Sequence, residues 1–141
     1  MKNFVFGYAG HNYLKGRVVP DSVHFIDLNM HDIDIQIILR NTEILITDYS
    51  SVWIDYLLLN KPIILFKYDA ELYITERDIL FDSEFIGVDS IAYEFDALLE
   101  LLNQPCISAN QPVLKQFFHQ YSDGNNSKRT FEAIQLRSCD K

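Results

Sequence analysis

Cysteine is nearly absent: Cys106 and Cys139 stand far apart in 141 residues and match no metal-ligand or redox spacing. Neither a disulfide framework nor a structural zinc site is indicated, and a reducing compartment is the default. Glycine is also scarce, five residues against eight Tyr and ten Phe, which excludes a collagen-like or low-complexity chain. Basic residues are outnumbered, with twelve Lys and Arg facing twenty Asp and Glu for a formal charge of -8. Nucleic acid presents a dense negative backbone and calls for a concentrated basic patch that this chain never assembles, so it is not an expected partner. Anionic lipid is disfavoured on the same ground.

Long hydrophobic runs are lacking too. The longest, Tyr56 to Leu59 then Pro62 to Phe66, is broken by Asn60 and Lys61 and falls well short of the roughly twenty residues a membrane helix needs. Near the start, Gly7, Tyr8 and His11 interrupt the apolar run before a secretory core is complete. There is no GxSxG elbow, GxxxxGK[ST] loop, GxGxxG fingerprint or HExxH pair, so hydrolase, nucleotide triphosphatase, dehydrogenase and metalloprotease readings lack their own motifs. His11, His24, His31 and His119 have no zinc-ligand spacing. No metal site and no cofactor are expected.

What is present is apolar material, 48% of the chain, enough for one close-packed core and against disorder as the main state. The length fits a single domain over residues 1–141. Phe4 to Tyr8 and Val23 to Leu28 read as strands. Asp32 is placed to cap a helix over Ile33 to Leu39, with Ile33, Ile37 and Ile38 as its apolar stripe and Asn41 as its end. Glu43 to Thr47, with Ile44, Leu45 and Ile46 in an uninterrupted apolar run, reads as an interior strand buried on both faces. Val52 to Leu59 reads as a helix, and Pro62 to Tyr68 as a central strand entered through a proline. Helices are expected over Phe95 to Leu102, Val113 to Tyr121 and Ser127 to Leu136. The alternation of strand and helix predicts an α/β, Rossmann-like, doubly wound parallel sheet.

The sharpest local feature is ILITDYSSVWIDYLLLNKPIILF, residues 44–66. In an open parallel sheet the carboxyl ends of the strands border the ligand crevice, and Thr47 to Ser51 lie where one strand hands over to a helix. Ser50 and Ser51 there can present hydroxyls, free N–H groups and the helix dipole to a phosphate. The plain alternative is that Asp48 and Ser50 or Ser51 only cap the helix. Asp55, one turn on, faces solvent or a domain contact, or pairs with Lys61.

A second polar cluster, KYDAELYITERD at residues 67–78, brings Tyr68, Asp69, Tyr73 and Arg77 to the same sheet edge. Arg77 can neutralise a diphosphate bidentately or make a surface pair with Glu76 or Asp78. The third, SDGNNSKRTFEAI at residues 122–134, has a turn at Asp123 and Gly124 and a helix capped by Ser127, with Lys128 and Arg129 in its first turn. Cations there oppose the helix dipole, which points to an anionic ligand, although exposed charges need no such explanation. His24, within a strand pattern, reads as structural, and His11, in a loop after the first strand, as a place for a base.

Taken together, residues 46–73, ITDYSSVWIDYLLLNKPIILFKYDAELY, resemble the hallmark segment of the CDP-glycerol glycerophosphotransferase family of teichoic acid and capsule enzymes: a TDYSS turn, an aspartate in the next helix, a KPI strand entry and a YD after that strand. DGNNSKR, residues 123–129, is similar to the family's later DG, serine and arginine pattern. The resemblance implies the carboxyl-terminal, nucleotide-binding half of a GT-B fold, with the acceptor domain absent from this sequence. It implies Ser50 and Ser51 at the donor phosphates and Asp123, Gly124, Ser127 and Arg129 in the later donor-site segment. It also implies Arg77 as the arginine of a YxxxRG-like element, with Asp78 where glycine is usual, and His11 as the catalytic histidine of an HP element, with Asn12 in place of the proline.

The function so implied is transfer of glycerol phosphate from CDP-glycerol, or a related nucleotide diphosphate, to a polyol-phosphate or glycan acceptor carried on a lipid. The place implied is cytoplasmic, with peripheral attachment to the inner face of the cell membrane. Two other readings stay open: a nucleotide-sugar glycosyltransferase domain of the same fold, and a non-catalytic relic that serves as a binding or interaction module. Oligomeric state is left open.

Overall fold

Residues 4–10, 22–30, 32–70 and 89–138 are the part of the chain described by this computed structural model. They fall in two compact units, Met1–Thr42 and Glu43–Lys141. Both are α/β, and every strand pair in them is parallel.

In the first unit β1 (Phe6–Tyr8) pairs with β2 (Phe25–Asp27), Phe6 opposite Phe25, and the two rings stack at 5.2 Å. Helix α1 (Ile35–Asn41) starts two residues later than the sequence reading placed it. Its cap is Asp34, whose carboxylate accepts from the Gln36 N–H at 2.7 Å, and not Asp32. Leu39 is the buried residue of the helix, 4% exposed, and Ile33 and Ile37 are exposed, so the buried stripe is not the expected one. Two aspartates two apart offer equivalent caps to a sequence reading. Asn41 is the last helical residue, as expected.

The second unit is built on a sheet ordered β3 (Leu45–Thr47), β4 (Ile63–Phe66), β5 (Ile91–Ala92). Leu45, Ile46 and Thr47 lie opposite Ile63, Ile64 and Leu65. Strand β4 is central and its Ile63, Ile64 and Leu65 are buried, as the apolar run predicts. Strand β3 is half-buried throughout, short of the burial on both faces expected of it, and among the described residues of its sheet it pairs with β4. Strand β5 went unforeseen, since two residues carry no periodicity.

Helix α2 (Val52–Tyr56) continues into a 3₁₀ turn, Leu57–Leu59, which ends on Asn60 at φ 52°. Asn tolerates this left-handed backbone, which stops the helix before the proline strand entry. Trp53, Tyr56 and Leu57 are buried, each such side chain contributing on the order of 1.5–3 kcal/mol. Tyr56 has no exposed surface, and burial, with the Glu43 carboxylate adding to it, pushes its hydroxyl pKa up to about 12.

Helix α3 (Phe95–Asn103) buries Leu98 and Leu102, one turn apart. Helix α4 (Gln111–Phe118) runs antiparallel to α2: the Gln111 amide donates to the Lys61 carbonyl at 2.9 Å, Lys115 Nζ to the Leu58 carbonyl at 3.2 Å, and His119 Nε2 to the Ile54 carbonyl at 2.7 Å. Trp53 and Phe118 meet edge to face, centroids 5.4 Å apart. Relative to the expected Val113 to Tyr121, α4 starts two residues earlier, with Pro112 in the first turn where a missing N–H costs nothing. It stops at His119, whose ring is held on α2. Helix α5 (Asn126–Ser138) closes the described chain. Among the described residues no helix is long and apolar enough to cross a membrane.

Candidate functional site

The sequence-predicted site residues that the structure describes, Ser50, Ser51, Asp123, Gly124, Ser127 and Arg129, fall in two turns of the second unit. His11 and Arg77 are outside the described residues, as are Tyr73, Asn12 and Asp78.

The first turn, residues 48–51, follows β3 at the carboxyl edge of the sheet. Its shape comes from short side chains: Asp48 Oδ1 accepts from the Ser50 N–H at 3.2 Å, and Ser50 Oγ accepts from the Val52 N–H at 3.4 Å. Ser51 occupies the N-cap position, its carbonyl accepting from Ile54 N at 2.9 Å, and its hydroxyl makes no capping bond. Asp48 and Ser50 thus do what the plain capping reading asked of them. The Ser51 hydroxyl, exposed with Ser50 at the same edge, is not used that way. Asp55 is exposed.

The turn after β4 comes back beside it. Tyr49 Oη donates to Asp69 Oδ1 at 3.1 Å, across twenty residues of chain. Lys67, only 6% exposed, sets its ammonium 5.8 Å from the centre of the Tyr49 ring, within cation–π reach. Sequence reasoning placed both segments at one edge of the sheet. It did not join Tyr49 to Asp69, though both belong to the motif quoted for the family resemblance.

The second turn, residues 121–129, is closed on itself. Gly124 takes φ 76°, a backbone that side chains with a Cβ resist, so the predicted Asp123–Gly124 turn is present. The cap is not Ser127 but Asn125, whose carbonyl accepts from Arg129 N at 3.0 Å; Ser127 sits inside the first turn of α5. Arg129 lies against Asp123 through both carboxylate oxygens, Nη1 to Oδ1 at 2.9 Å, donates to Asn126 Oδ1 at 2.9 Å and stacks its Cζ 4.3 Å from the Tyr121 ring centre. The Arg129 hydrogen bonds, then those from Asn125, hold the Asp123 carboxyl well below the usual carboxylate range, while Asp123 raises the guanidinium. The cation that opposed the helix dipole is therefore matched by a carboxylate of its own turn. Beside this turn Leu58, Lys115, His119, Tyr121, Gly124 and Asn126 border an open depression of about 460 Å³. No group of three or more His, Cys, Asp or Glu among the described residues could hold a metal ion.

Comparison with known proteins adds the family. The chain is 34% identical over 132 residues to the teichoic acid ribitol-phosphate polymerase TarK of Staphylococcus aureus (strain NCTC 8325 / PS 47), covering 90% of this chain and 25% of that protein. It is 33% identical to TarL of the same strain, a second teichoic acid ribitol-phosphate polymerase, covering 90% and 23%. Against the teichoic acid glycerol-phosphate primase of Bacillus subtilis (strain 168) the identity is 33% over 98 residues, 70% of this chain and 26% of that one. The chain thus spans about a quarter of the length of these curated relatives. Residues 2–136 match the family description as one continuous stretch, and the chain belongs to the CDP-glycerol:poly(glycerophosphate) glycerophosphotransferase family.

Proposed function

We propose that this chain is the nucleotide-binding domain of a teichoic acid polyol-phosphate transferase, built like the carboxyl-terminal half of a GT-B fold, and that it holds CDP-glycerol or a related nucleotide diphosphate. The family match over residues 2–136 carries this reading. It is supported by the position of the TDYSS turn at the carboxyl edge of parallel β3 and β4, where open α/β sheets receive ligands.

In this reading Ser51 and Ser50 contact the donor diphosphate, and Arg77 adds charge. Gly124 and Ser127 line the later donor segment, with Arg129 oriented by Asp123. An acceptor hydroxyl attacks the glycerol-linked phosphorus, the bond to the CMP oxygen breaks, and CMP leaves with the electron pair. His11 takes the hydroxyl proton, and hydrogen-bond donors at the turn stabilise the charge that develops on the leaving phosphate. The acceptor is a polyol-phosphate or glycan chain on a lipid, met at the inner face of the cell membrane, and its binding belongs to sequence beyond the quarter of the relatives that this chain spans.

Calorimetric titration of the 141-residue chain with CDP-glycerol, CDP-ribitol, a UDP-sugar and a GDP-sugar tests the assignment. Binding of a cytidine diphosphate polyol is expected. Response to a sugar nucleotide alone would replace it with the glycosyltransferase reading. Because transfer needs donor and acceptor within about 3–3.5 Å in a water-excluding cleft, the same chain given acceptor is expected to release no appreciable CMP.

A further inference from the structure

Resting on the site reading above, we infer that Tyr49 and Asp69 are a positioning pair: their hydrogen bond sets the serine turn where a nucleotide-linked ligand can use it. The turn's own bonds, Asp48 to Ser50 and Ser50 to Val52, span two residues each and determine its shape. They do not determine where that shape sits on the sheet edge. Strand β3 ends at Thr47, is half-buried throughout and, among the described residues of its sheet, pairs with β4, so it anchors the turn less firmly than β4 does. Strand β4 is the buried centre of the sheet, and the residues that follow it are tied down as well: Lys67 N donates to the Ala92 carbonyl at 2.8 Å, and Ala70 N to the Lys67 carbonyl at 3.3 Å. Tyr49 joins the weakly held turn to this firmly held one through its hydroxyl on Asp69 and its ring near the Lys67 ammonium.

The bond is half-buried and its acceptor is a carboxylate, the kind of hydrogen bond worth more than a neutral one because competing water is partly excluded. Ser50 and Ser51 follow Tyr49 directly, so a swing of the tyrosine carries both hydroxyls with it. Neither Tyr49 nor Asp69 needs to touch the ligand. Asp69 Oδ1 is engaged by the phenol, and an acid would repel a diphosphate rather than bind it.

Four variants separate this from its alternatives: Tyr49→Phe, Asp69→Ala, Asp69→Asn and the Tyr49→Phe/Asp69→Ala double variant. Each is titrated with CDP-glycerol and followed by amide hydrogen exchange without ligand. Loss of the bond is expected to weaken affinity about fivefold to tenfold in Tyr49→Phe and in Asp69→Ala, with no further loss in the double variant. Asp69→Asn, whose amide oxygen still accepts from the phenol, is expected to keep most of the affinity, which a direct charge contact would not allow. Exchange is expected to quicken at Ser50 to Val52 and to stay unchanged at Ile64 and Leu65. Equal quickening at β4 would mark a general stability contact and overturn the inference. Ser50→Ala/Ser51→Ala serves as the reference for the site itself. If that pair weakens binding while Tyr49→Phe binds as wild type does, the positioning role is overturned and the site stands. If the wild-type chain does not bind CDP-glycerol, or the serine pair leaves its affinity unchanged, the site reading falls and the positioning role with it.

Discussion

The two turns that carry the candidate residues are held in opposite ways. Residues 121–129 are closed by contacts within their own segment, Asp123 with Arg129 and Asn125, Arg129 with Asn126 and Tyr121. Residues 48–51 have a locally determined shape but take their place from residues eighteen and twenty positions beyond Tyr49, through Lys67 and Asp69. A locally closed turn should survive damage to the sheet, and a borrowed one should not. The same contrast bears on ligand use. The arginine of the later turn arrives already neutralised by a carboxylate, whereas the exposed Ser51 hydroxyl of the earlier turn makes no capping bond.

The largest effect on function is expected from Ser50→Ala with Ser51→Ala. Each hydroxyl lost from a charged ligand weakens CDP-glycerol binding by about 1.5–3 kcal/mol. Folding stability falls by at most about 0.5–2 kcal/mol, since Ser50 alone makes a capping contact. Equal affinity in calorimetry would leave the turn as a cap and nothing more.

Leu65→Ala tests the borrowed anchor. Leu65 is 1% exposed at the centre of β4, and truncation there is expected to cost about 2–5 kcal/mol in urea unfolding. Hydrogen exchange should rise at residues 48–52 well before it rises at Asn125 to Arg129. Simultaneous loss of both turns would erase the distinction between them.

Alkaline pH gives a third test. The Tyr56 hydroxyl titrates near 12 in the fold against 10 for the ordinary group, so the folded chain holds its proton more tightly than the unfolded one. That stability is full below pH 10 and is lost as pH rises toward 12, by about 1.4 kcal/mol per pH unit. Urea midpoints at pH 8, 10 and 11 should show the decline, and Tyr56→Phe should flatten it. Because Tyr56 lies on α2, the exchange of the serine turn is expected to follow.

The smallest effect is expected at the other turn. Asp123 is an exposed residue, and its carboxyl is held well below its ordinary value of 3.8 by its hydrogen bonds from Arg129 and Asn125. The contribution of the Arg129 pair is present above pH 4 and fades as pH falls through the depressed value. Asp123→Asn should speed amide exchange at the start of α5 and leave β3 and β4 untouched. A shift in the exchange of Ile64 or Leu65 would show that the later turn is coupled to the sheet after all.

Much of this was legible from residue order alone. Ile63 to Leu65 announce a buried strand because three consecutive β-branched or large apolar residues suit a strand covered on both faces. Asn60 and the proline after Lys61 mark the break before it. Asp123 and Gly124 declare a turn because glycine alone takes φ 76° without cost. The family pattern in residues 46–73 and 123–129 was readable because motif spacing is a property of the chain, and the match over residues 2–136 agrees with it.

Other matters were decided by packing. Between Asp32 and Asp34 local propensity offers no choice, and it is Asp34 that caps, while the half-burial of β3 depends on what the folded chain lays over it. The start of α5 moved to Asn126 because Asn125 accepts the first helical bond. The Tyr49 to Asp69 bond is the clearest case. Both residues could be read as belonging to one sheet edge, but a hydroxyl meets a carboxylate only when parallel strands and the helix between them bring residues twenty apart within 3.1 Å. Local propensity acts over a turn or two of chain, and contacts of that range exist only once the sheet has formed.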